Sequence, residues 1–157
     1  MRLLIGKKGE LEKFFASVER EFGDYMSLED LKQIEFLPNG FSDSCFHDCV
    51  CPSLISSEMM ELEDGTLAVD IWIDCKNPEE RELAGGQQFT ICLRDNDADL
   101  RAEYGSDDWQ DILKHAPLAL ELMHLIHEDA VAHGEVSYSR AFQGHGELAV
   151  RHGFRLY

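Results

Sequence analysis

The sequence predicts an α+β fold, an antiparallel β meander of four to six strands with helices packed on one face. Three observations predict it. Through the middle of the chain, apolar and polar residues alternate at the period-two spacing of strands. The links between these runs are short and rich in turn formers, which pairs successive strands antiparallel. On both flanks the apolar spacing lengthens to that of amphipathic helices. A chain of 157 residues with 44% apolar and 10% aromatic content is expected to form a single domain spanning 1–157.

In chain order, residues 10–22 place Leu11, Phe14, Phe15, Val18 and Phe22 on one helical stripe, with Gly23 at the capping position. Ser27 and Asp30 form a capping-box pair for a short turn to about Lys32. Strands are predicted at about 44–51, 54–62, 66–75, 87–94 and 98–104. In residues 66–75, Leu67, Val69, Ile71, Ile73 and Cys75 form an oily face opposite Ala68, Asp70, Trp72 and Asp74. Asp64-Gly65, just before it, reads as a two-residue hairpin turn. Ser106 is placed as N-cap of a helix over 107–115, and Pro117 at the start of a second helix over 117–133, closed by Gly134. Its apolar stripe is Leu118, Leu122, Leu125, Ile126 and Ala130. A short helix near 147–152 and an edge strand at 154–157 complete the prediction.

Charge is the strongest bulk property. The net value is −17, and residues 41–133 hold 21 acidic against 5 basic groups. Such a surface opposes nucleic acid and anionic membranes and favours rapid encounter with a basic protein partner. No apolar run approaches the roughly 18–20 residues needed to span a bilayer. The N-terminus carries only a short apolar patch, unlike a secretory signal. Five cysteines without such a signal read as reduced thiols, so a cytoplasmic location is expected.

Candidate chemistry is sparse. Cys45, His47, Cys49 and Cys51 have zinc-type ligands at alternate positions. On one strand face they would span about 20 Å, too far to gather four around one ion. Glu121, His124 and Glu128 share a helix face at metal-site spacing, the basis of an alternative reading as a metal-assisted hydrolase. The HExxH spacing is not met, since Val131 follows His127 by four. Asp70 and Asp74, four residues apart on a strand, lie about 13 Å from each other, too far to share a proton or an ion. Arg94 is a natural cross-strand mate for one of them. Gly144-His145-Gly146 lacks the context of a phosphate loop, and no cofactor is expected.

What remains is a candidate binding face of Asp70, Trp72, Asp74, Asp99 and Glu103. A tryptophan on the polar side of an alternating strand is either covered by the chain or offered to a partner. The expected function is capture of a basic protein by a small acidic inhibitor of the immunity-protein type, with nucleic-acid mimicry as a variant. A housekeeping domain whose acidity serves only solubility is the third possibility.

Overall fold

The computed structural model describes residues 8–44, 51–82, 86–96 and 100–157. The architecture is α+β, with four helices against a seven-stranded antiparallel sheet among these described residues. The strands are β1 (Phe41–Asp43), β2 (Ser53–Ser56), β3 (Met60–Leu62), β4 (Gly65–Ile73), β5 (Phe89–Asp95), β6 (Leu100–Ser106) and β7 (Arg155–Leu156). The helices are α1 (Lys8–Phe22), α2 (Trp109–Ala132), α3 (Ser139–Gly144) and α4 (Gly146–Arg151). Strand order is β1-β2-β4-β5-β6-β7, with β3 also paired to β4. The predicted 44–51 strand falls mostly outside the described residues; Phe41–Asp43 is the strand observed just before it.

The period-two pattern of β4 sets the layers. Leu67, Val69, Ile71 and Ile73 are fully buried, beside Ile91 and Leu93 of β5. They form one cluster with Phe14, Val18 and Phe22 of α1 and with the buried side of α2. Ala68 and Cys92, on the opposite face, are buried but lie outside that cluster. The helices therefore pack on one face, as the alternation requires.

Several local features differ from the sequence expectation. Residues 54–62 form two strands. Ile55 faces Asp70, so an unbroken strand would put Met60 opposite Gly65, whereas Met60 faces Leu67. The Ser56 hydroxyl holds this bulge, accepting from Val69 N at 3.1 Å and donating to Glu58 O at 2.8 Å. The hairpin turn falls one residue early: Leu62 pairs with Gly65, leaving Glu63 and Asp64 as its centre. Gly65 is there for space, since a Cβ would sit 2.8 Å from the Tyr138 ring.

The two predicted helices are one, α2, running through Pro117. Trp109, Ile112, Ala116, Ala119, Leu122, Met123, Ile126 and Ala130 form its continuous buried stripe. Burying that stripe offsets the roughly 3 kcal/mol that an interior proline costs a helix. It also turns Leu118 and Leu125 to the margin, where both are half-buried. Ser106 pairs with Phe89 at the end of β6, so Asp108 becomes the cap, accepting from Gln110 N at 3.0 Å. Gly134, at φ +64°, ends the helix in the left-handed conformation that glycine allows. Lastly, α3 precedes the expected C-terminal helix, and β7 adds only two residues to the edge of β6.

Candidate functional site

The sheet face opposite the helices carries Ala68, Asp70 and Trp72 of β4, Thr90, Cys92 and Arg94 of β5, and Arg101, Glu103 and Gly105 of β6, as the register dictates. Trp72 lies between Ser53 of β2 and Thr90 of β5 and is half-buried. Its indole is thus neither core nor fully exposed.

Asp70 is only 3% exposed. Its carboxylate forms an ion pair with Nε of Arg94, reached diagonally because Arg94 sits opposite Ala68. Burial raises the Asp70 pKa, and the Arg94 charge opposes that rise. Directly across from Asp70, burial, reinforced by Glu103 and Asp70, pushes the Cys92 thiol up to about 12. A thiol so protonated is no nucleophile at neutral pH. Glu103 is half-buried, 3.9 Å from Arg101. Two carboxylates and two guanidinium groups therefore share this face, Arg94 opposite Arg101, and the acidic excess lies elsewhere.

Asp74 does not join the face. β4 ends at Ile73, and Asp74, 2% exposed, accepts bonds from the Tyr25 hydroxyl, Cys75 N at 2.8 Å and Glu82 N at 3.2 Å. Burial, then Asp74, drives the Tyr25 pKa far upward. Asp99 lies outside the described residues, as do Cys45, His47 and Cys49; Cys51 is buried.

The acidic excess gathers at one end of the sheet, beyond β4. Glu79, Glu80, Glu82, Asp107 and Asp108 are exposed there, around the start of α2 and a short turn over Pro78–Glu80. Arg81 holds this pole together. Its guanidinium, 5% exposed, donates to the carbonyls of Cys75 at 2.8 Å, Gly86 at 2.9 Å and Lys76 at 2.9 Å, and lies 3.2 Å from Asp107. Gln88 adds a second tie, its N–H donating to Asp107 at 2.7 Å and its amide to the carbonyls of Asp30 and Asp74 at 2.8 and 3.2 Å. Sequence reasoning missed Arg81, Gln88 and Tyr25. The available signal was an arginine inside a carboxylate-rich loop.

Compared with known proteins, the chain matches no family model, no curated protein and no solved structure.

The alternative metal cluster is placed as follows. His124 Nε2 lies 3.0 Å from Glu58 of the β2–β3 bulge, while Glu121 and Glu128 are exposed. Among the described residues, no three His, Cys, Asp or Glu side chains are grouped to hold a metal ion. A separate titratable group lies under the C-terminal segment. The Tyr104 hydroxyl donates to Asp111 at 2.5 Å, and the Tyr104 and His115 rings stack 3.8 Å apart. The Tyr104 bond lowers the Asp111 pKa, while burial, followed by Asp111, pushes Tyr104 up to about 12. Among the described residues, no helix is long and apolar enough to cross a membrane.

Proposed function

We propose that this chain is a non-catalytic binding protein that captures a basic protein partner, in the manner of an immunity protein or an inhibitor of a nuclease-type toxin. One observation carries the proposal. Trp72, half-buried on the face away from the helices, lies next to the end of β4 where the exposed carboxylates of Glu79, Glu80, Glu82, Asp107 and Asp108 gather. Such a juxtaposition pairs an aromatic anchor with a field that draws cations. The partner engages the pole with lysine or arginine and packs an apolar group on the indole. Nucleic-acid mimicry is a variant, because a row of fixed carboxylates resembles a phosphate backbone. Cys75 and Cys92 are buried thiols outside any disulfide, which suits a cytoplasmic protein.

The test is retention of polypeptides from the native lysate on the immobilised protein. The comparison is with Trp72→Ala and with a variant carrying Glu79→Lys, Glu80→Lys and Glu82→Lys. A strongly basic polypeptide is expected on the wild type. Either change should weaken it by about 2 kcal/mol, roughly thirtyfold, without altering the melting temperature. Its association rate should fall steeply with salt. Equal retention by all three proteins overturns the proposal. The metal-assisted hydrolase is the competing reading; stoichiometric metal in the purified protein, with activity lost in His124→Ala, would establish it instead.

A further inference from the structure

We propose that Asp70 and Arg94 form a proton-operated latch on the helix-free face, whose release moves Arg94 into solvent and uncovers the strip of sheet beside Trp72. The geometry carries it. Asp70 is 3% exposed, and the atoms that meet, Asp70 Oδ2 and Arg94 Nε, are both fully buried. Both the Arg94 charge and its hydrogen bond favour the ionised Asp70 carboxylate. Arg94 nevertheless leaves 37% of its side chain exposed and has a short path to water. Among the described residues, Arg94 is the cation in contact with Asp70.

The other carboxylate on this part of the face, Glu103, is paired with Arg101. On β5, Asp70 faces Cys92; beyond it on β6 stands Glu103, itself beside Arg101. On the other side lie Ile55 of β2 and Ser42 of β1, both uncharged. Neutralising Asp70 thus removes what fixes the guanidinium, while the neutral carboxyl is the form its burial favours. Trp72 is two residues along the same face of β4, about 7 Å away, and senses the change. The latch gives the proposed capture surface two states, and rests on that proposal only for its purpose.

The experiment follows Trp72 emission from pH 7.5 to 4 in wild type, Asp70→Asn and Glu103→Gln, with far-UV circular dichroism confirming that the fold persists. Trp109, buried against Phe89, provides a constant background. A single transition is expected with its midpoint above the ordinary aspartate value near 4. It should vanish in Asp70→Asn, whose emission stays at the low-pH value at all pH, and persist in Glu103→Gln. If Asp70→Asn does not fold, Arg94→Gln replaces it, and with no guanidinium to release the transition should likewise vanish. A flat wild-type profile, or a transition that survives Asp70→Asn or Arg94→Gln, overturns the latch. None of these outcomes depends on whether a basic partner exists.

Discussion

Replacing Arg81 tests how much of the molecule depends on one side chain. The guanidinium serves three main-chain carbonyls and Asp107 while almost wholly buried. Hydrogen bonds from charged donors each contribute about 1.5–3 kcal/mol net, but they do not simply add when one group makes them all. In Arg81→Ala, the carbonyls of exposed Lys76 and half-buried Gly86 regain water. The carbonyl of buried Cys75 is the one that stays poorly served. The expected loss is therefore about 2–3 kcal/mol rather than the sum. For a chain of this size that lowers the melting temperature by about 5–10 °C. Urea unfolding should show a reduced midpoint with an unchanged slope, since the surface exposed on unfolding is the same. Arg81→Lys retains the charge but lacks the planar fork, so it should recover less than half of the loss. A loss below about 0.5 kcal/mol in Arg81→Ala would refute the idea that this residue ties the acidic loop to the sheet.

Two further outcomes follow from the same geometry. Pro117→Ala restores an amide to the middle of α2, opposite the Leu113 carbonyl, and should raise stability by about 1–2 kcal/mol after the gain in unfolded-chain freedom is discounted; a stability loss by urea titration would show that the proline shapes the helix. The Asp111 carboxyl is held below its ordinary range by Tyr104, so its contribution is present above the unfolded value near 4 and is lost as pH falls through the lower folded value. Tyr104→Phe should accordingly be less stable than wild type at pH 6, with the difference shrinking toward pH 2.5; a constant difference across that interval would assign the effect to packing instead.

The elements with one strong period were legible in the sequence. Residues 66–75 announced both a strand and the side on which it is buried, because each apolar residue there answers to the same neighbouring layer. The helix boundaries were less so. Pro117 and Ser106 carry strong local signals for starting a helix, yet the apolar stripe from Trp109 to Ala130 and the pairing of Ser106 with Phe89 override them. Gly65 looked like turn chemistry and proved to be clearance for Tyr138, 73 positions away in the chain. The candidate site was legible only in part. Trp72, Asp70 and the Arg94 pairing follow from alternation and register. The role of Asp74 does not, since it depends on Tyr25, a residue whose contact with it is set by how the whole chain closes.

The sheet ends, among the described residues, in β1 of three residues and β7 of two. Strands so short offer an incoming chain almost no template for backbone pairing. Short terminal strands of this kind work against edge-to-edge growth of the sheet. The partner proposed above would therefore read the indole and the carboxylates rather than extend the sheet.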